Sequence, residues 1–190
     1  MARSLAGKPA PKLSDKLRGR KLAHIGLLSR EELDEVIALG EWFRDNPDDK
    51  TYVTLLQGRV QALLFVYEST RTRLGFECAM AQLGGSNVYL AAKDTQMGRG
   101  ESVLDTVRAM TQYVDVFTGR LWKQDDIDVA CANMTVPVLN ACTPLDHSTH
   151  VIGELMAIKQ AKGNLKGLNL VYTGMARGIL HSFIRVCPLL

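Results

Sequence analysis

Long apolar runs are missing from these 190 residues. None approaches the ~18 residues that a helix needs to cross a bilayer, so no membrane-spanning helix is expected. Charge of one sign is also scarce. Lys and Arg number 23 against 20 Asp and Glu, and a net charge of +3 is too small to argue for nucleic acid as a partner. Cysteine is sparse, and Cys78, Cys131, Cys142 and Cys187 form no C-x-x-C pair. That pattern argues against a disulfide framework or a zinc site, and it predicts buried free thiols in a reducing compartment. Internal repeats and low-complexity stretches are absent as well.

What is present reads as a globular chain. Hydrophobic residues make up 46% and charged residues 23%, and the length suits one domain or one and a fraction. The first 21 residues hold seven Lys or Arg and a single acid, Asp15. A mitochondrial targeting peptide has such a balance, but a frayed basic tail in a cytoplasmic protein is the preferred reading, because Leu17-Arg18-Gly19-Arg20-Lys21 runs straight into ordered-looking sequence.

Strand-like and helix-like segments then alternate. Ser29-Arg30-Glu31-Glu32 fits a capping box, and the helix behind it carries Leu33, Val36, Ile37 and Leu39 on one face as far as about Phe43. A strand is expected within 55–67 and a helix over 72–83, stopped by Gly84-Gly85. Further strands are expected at 87–90, 114–119, 136–142 and 168–173, with helices at 102–113, 125–134 and 147–162 and a turn into 179–184. The alternation predicts an α/β fold, a parallel sheet with helices on both faces, and ligands at the carboxyl ends of its strands.

The run Glu68-Ser69-Thr70-Arg71-Thr72-Arg73 lies where the first of these strands meets its helix. A helix start offers unpaired N–H groups and about half a positive charge. Hydroxyls and guanidinium groups at the same place describe a phosphate site. The competing description is a capped helix with a solvated basic first turn. It leaves unexplained why Arg71 and Arg73 sit at the positive end of the dipole, a cost that an incoming anion would offset.

Phe65-x-x-x-Ser69-Thr70-Arg71-Thr72-Arg73-x-x-Phe76-Glu77 resembles the carbamoyl-phosphate signature of the aspartate and ornithine carbamoyltransferases. Other blocks follow in the family's order: Gln82-Leu83-Gly84-Gly85, Gly100-Glu101-Ser102, Arg120 after a strand, Val136-Pro137-Val138-Leu139-Asn140 before His147, and Leu165-Lys166-Gly167 before Gly174. The resemblance implies transfer of a carbamoyl group from carbamoyl phosphate to an amine, most like the ornithine branch, with no metal or organic cofactor. Ser69, Thr70, Arg71 and Thr72 would hold the phosphate, with Thr72 near the carbonyl oxygen. Arg120 would bridge phosphate and carbonyl oxygen, and His147 would donate to that oxygen. Gln96 matches a loop residue that family members lend to a neighbouring subunit, so a homotrimer is implied. Arg73 matches the signature but is not expected to touch the ligand.

Two departures stand out. The family usually reads His-Pro-x-Gln where this chain has His147-Ser148-Thr149-His150. His150 therefore stands where a glutamine oxygen would accept from the carbamoyl amino group. A neutral imidazole can fill that role and a protonated one cannot, so activity is expected to fall on acidification. His147, His150 and Glu154 share a helical face and could bind zinc, but polar residues facing the site are the favoured reading. The second departure is length. Family members continue into a second α/β domain, whereas this chain ends at Leu190, so 1–146 is expected to form the carbamoyl-phosphate domain and 147–190 the interdomain helix and the incomplete opening of an amino-acid domain. A catalytically impaired anion-binding module is the alternative that this shortness raises.

Overall fold

The computed structural model describes residues 9–47, 49 and 51–190. Residues 1–8, the first part of the basic tail, lie outside the described residues.

A short continuous apolar run reads as a strand covered on both faces. Strand β2 (Val60–Phe65) is that strand: Ala62 and Leu64 enter one core cluster, Leu63 and Phe65 another, because successive side chains alternate across a sheet. Burying each of these larger side chains contributes roughly 1.5–3 kcal/mol. Strands β3 (Ser86–Ala91) and β4 (Val116–Arg120) flank β2, β5 (Val138–Cys142) joins β4, and the two-residue β1 (Lys21–Leu22) joins β5. All pairings are parallel, in the order β1-β5-β4-β2-β3.

Helices cover both faces, as the alternation predicts. Helices α3 (Val103–Met110) and α4 (Gln124–Asn133) bring Val107, Ile127 and Ala130 against Phe117 and Val138. On the other face, that of Leu139, helices α1 (Arg30–Asp45), α5 (Ser148–Lys162) and α6 (Gly178–Val186) share a cluster of Leu33, Ile37, Val151, Leu155 and Phe183. Helix α2 (Thr70–Gln82) sets Phe76 against Leu63 and Phe65. The helix ends follow the chain's punctuation. Ser29 and Glu32 form the expected capping box. Gly84, with φ +85°, follows α2, and a Cβ there would lie 2.2 Å from the carbonyl oxygen of Val53.

Two expectations are corrected, and one strand adds to those expected. No strand forms over 168–173; the segment runs outside the sheet, with Val171 82% exposed. Its β-branched and aromatic residues favour a strand, but a strand needs a neighbour to take its N–H and C=O groups, and none stands beside it among the described residues. The cysteines are free but not buried: Cys78 and Cys187 are exposed, and Cys131 and Cys142 are half-buried. Strand β1 was not foreseen, since two residues are too short for a periodic signal.

Candidate active site

Strand order decides where a ligand can sit. From β2 the chain passes to β3 on one side and then crosses to β4 on the other. The carboxyl ends of β2 and β4 therefore diverge into a crevice, the usual ligand position in an open parallel sheet. Four residues separate the end of β2 from the start of α2, and Arg120 is the last residue of β4. The pairing register slips between Gly119 and Arg120, so that Arg120 faces Cys142 instead of Ala141. Such irregularities re-aim a side chain next to a site.

A cleft of about 700 Å³ opens there, lined by Ser69, Arg71, Thr72, Arg120, His147 and His150. Arg177 lines it too, and no lining residue is a carboxylate. Ser69 is the N-cap of α2, yet its side chain makes no capping hydrogen bond, and no acidic residue occupies the first turn. Arg73 turns away: it donates to Glu77 at 3.1 Å, and its guanidinium carbon lies 3.4 Å from the Tyr89 ring centroid.

The Arg120 guanidinium lies 4.1 Å from the centroid of Tyr67, which stacks on Trp122 at 4.5 Å. The aromatic face suits a cation and keeps it from wandering. Burial, helped by the neighbouring Cys142 side chain, pushes the Tyr67 phenol well above its usual range, and its hydroxyl donates to the Cys142 carbonyl at 3.5 Å. Arg120 Nε is buried without a partner among the described residues.

His147 is held from behind. Its backbone N–H donates to Ser182 Oγ at 2.8 Å, and Ser182 Oγ donates to the fully buried Asp146 at 2.8 Å. Asp146 also accepts from the backbone N–H groups of Ile25 at 3.2 Å and Ser148 at 2.8 Å. One carboxylate thus ties the start of α5 to α6 and to the chain after β1. Gly178 permits the approach of α6, because a Cβ there would lie 2.5 Å from the Thr143 carbonyl oxygen. Burial pushes the His147 imidazole down to about 4, with His150 and Arg120 adding to the effect. The ring is neutral at pH 7 and offers one N–H to an oxygen. Its ring centroid lies 5.0 Å from that of His150, whose Nε2 is 3.0 Å from Glu154 Oε1.

A matching family model decides what kind of cleft this is: residues 20–160 fit the carbamoyl-P binding domain of aspartate/ornithine carbamoyltransferase. The chain belongs to that family. An ornithine carbamoyltransferase of Oceanobacillus iheyensis is 33% identical over 168 residues, covering 88% of this chain and 52% of the relative. The Bacillus subtilis ornithine carbamoyltransferase is 34% identical over 171 residues, or 90% and 52%. Among solved structures, ornithine carbamoyltransferase from Pyrococcus furiosus superposes with a TM-score of 0.85 at 34% identity, over 90% of this chain and 55% of that one. Aspartate transcarbamoylase from Trypanosoma cruzi, in complex with aspartate and phosphate, does so with a TM-score of 0.83 at 28% identity, over 93% and 56%. The chain spans about half the length of the curated relatives it matches.

Of the residues that the resemblance to carbamoyltransferases picked out, the structure gathers Ser69, Arg71, Thr72, Arg120, His147 and His150. Thr70 is exposed in the first turn of α2 and is not on the cleft wall. Gln96 is exposed in a 3-10 turn, Gln96–Arg99, away from the cleft of its own chain. Tyr67, Trp122, Cys142, Asp146 and Arg177 were not singled out. Arg177 stands just before α6, outside every block that carries the resemblance. Among the described residues no group of three or more His, Cys, Asp or Glu is placed to hold a metal, and no helix is long and apolar enough to cross a membrane.

Proposed function

We propose that the chain binds carbamoyl phosphate at the start of α2 and serves carbamoyl transfer to the side-chain amine of ornithine, with citrulline and phosphate as products. The observation that carries this reading is the cleft's charge: Arg71, Arg120 and Arg177 line it, and no carboxylate does. Family membership names the anion, and the ornithine names of the sequence relatives favour that amine over aspartate. Ser69, Arg71 and Thr72 take the phosphate together with the open N–H groups of α2, to which Thr70 contributes its backbone N–H. Arg120 spans phosphate and carbonyl oxygen, while His147 and Thr72 donate to that oxygen.

The lone pair of the neutral amine attacks the carbonyl carbon, and charge builds on the oxygen; the C–O bond to phosphate then breaks with its electron pair passing to the phosphate, which takes the proton that the nitrogen sheds. Donors already in place stabilise that charge without reorganising, and holding both reactants together supplies the rest. No metal or organic cofactor takes part in this scheme. A cytoplasmic setting fits the free thiols. The exposed position of Gln96, off its own cleft, fits a homotrimer in which each copy lends this turn to its neighbour. In this reading 1–146 is the carbamoyl-phosphate domain, and 147–190 opens the amino-acid-binding part.

A second reading, binding without transfer, is favoured by one observation: no lining carboxylate is available to hold an amino acid's α-ammonium group. Product assays with carbamoyl phosphate plus ornithine, and plus aspartate, separate the two. Citrulline is expected; binding of phosphonoacetamide without any product supports the module. Arg71→Ala is expected to weaken phosphonoacetamide binding ~10-fold or more. Unchanged affinity in that variant removes the phosphate site from the argument.

A further inference from the structure

Carbamoyl phosphate has two accepting ends, the phosphate and the carbonyl oxygen, and one donating end, its amino group. Guanidinium groups only donate, so Arg71, Arg120 and Arg177 cannot recognise the amino group. An acceptor is needed to tell a carbamoyl phosphate from an acyl phosphate, in which a carbon replaces that nitrogen. Imidazole rings on the cleft wall can supply one, and there are two, His147 and His150. His147 is the less exposed of the two, placed to donate to the carbonyl oxygen in the reading above.

His150 sits in the first turn of α5, and Glu154 follows it one turn later on the same helix. Its Nε2 lies 3.0 Å from Glu154 Oε1, with both side chains about half exposed. An ionised carboxylate only accepts, so Nε2 must carry the hydrogen. A neutral ring so held has its lone pair on Nδ1. Without the carboxylate, the ring would sample both tautomers and both flips. Arg71, Arg120, Arg177 and the N-cap residue His147 line the cleft with His150, and none of them hydrogen-bonds its ring nitrogens.

The geometry points to Glu154 as a positioning residue for carbamoyl recognition: it takes the Nε2 hydrogen of His150, so that Nδ1 accepts from the carbamoyl amino group. The cleft then prefers a carbamoyl phosphate to an acyl phosphate. This inference rests on the carbamoyl-phosphate reading, and its test separates the two. Ligands that isolate it are phosphonoacetamide and acetonylphosphonate, which share a skeleton and differ by amino against methyl.

In the 15N-labelled chain at pH 8, imidazole 15N–1H correlations should show His150 with Nε2 protonated and Nδ1 bare. The wild type should bind the amide more tightly than the ketone. His150→Leu and Glu154→Leu should each narrow that ratio by ~3- to 10-fold, the span of one hydrogen bond. Glu154→Gln, which keeps an accepting oxygen, should restore most of it. Inorganic phosphate should bind the Glu154 variants as it binds the wild type. A protonated Nδ1 in the wild type, or an amide-to-ketone ratio unchanged in both leucine variants, overturns the inference while leaving the anion site standing. Failure of the wild type to bind inorganic phosphate removes the anion site, and this inference with it.

Discussion

Helices α1 and α2 begin in opposite ways. At α1, Ser29 Oγ accepts from the Glu32 N–H at 3.2 Å, and the Glu32 carboxylate accepts from the Ser29 N–H at 2.8 Å. Glu31 and Glu32 place negative charge in the first turn, and Arg20 forks onto Glu32 at 2.7 and 2.8 Å. At α2 the N-cap is also a serine, but Ser69 makes no capping bond, no acid follows, and Arg71 and Arg73 occupy the first turn. The first start satisfies itself. The second forgoes a cap worth about 1 kcal/mol and sets cations against the dipole. A helix start that gives up both is suited to an anion supplied from outside, so the same residue type at the same position closes one helix start and, in the proposed reading, leaves the other open for phosphate.

Helix α5 lies between these extremes, and it carries the largest effect. Its first N–H is met by Asp146, while its N-cap, His147, turns a half-buried neutral ring to the cleft. Because burial holds that imidazole at about 4 against an ordinary 6.5, the unfolded chain binds the extra proton between those values. Native stability therefore rises with pH across that window, and it is lost as pH falls from about 6.5 to about 4, by at most about 3 kcal/mol. Urea unfolding across that window should show a shallower pH dependence in His147→Asn. Parallel curves for variant and wild type would mean that the ring is not held neutral by the fold.

The next effect compares the two serines directly. Ser29→Ala should cost ~1 kcal/mol in urea unfolding and leave phosphate affinity alone. Ser69→Ala should cost a few tenths at most, because no cap bond is lost, but should weaken phosphate binding. Equal stability costs at the two sites would erase the distinction between a closed and an open start.

Much of this was legible in the chain because it depends on local pattern. The capping box at Ser29, the apolar run of β2 and the helix start behind the hydroxyl–guanidinium run are each legible within a few residues. The rest depends on tertiary placement. Arg177 reaches the cleft only because α6 packs so closely at Gly178, and Asp146 matters through partners at Ile25 and Ser182, more than thirty residues away in each direction. The segment 168–173 misled for the converse reason: its propensity is local, but a strand exists only beside another strand. The four cysteines misled likewise: Cys78 and Cys131 lie on helices, Cys142 ends β5 and Cys187 follows α6, and their spacing does not say whether a thiol turns to the core or to solvent.

The smallest effect is the most direct test of the open start. Ser69→Asp gives α2 both an accepting oxygen and the negative charge that its first turn lacks. If the start is open, the built-in carboxylate should act as the missing anion and raise stability by ~0.3–1 kcal/mol. It should also occupy the place of phosphate and repel it. A ligand that binds only the native state stabilises it in proportion to the logarithm of its occupancy, so phosphate should raise the Tm of the wild type. In Ser69→Asp the Tm without phosphate should be higher, and the further rise on adding phosphate should vanish. A variant that is less stable, yet still stabilised by phosphate as much as the wild type, would place the anion elsewhere and leave the absent cap at Ser69 unexplained.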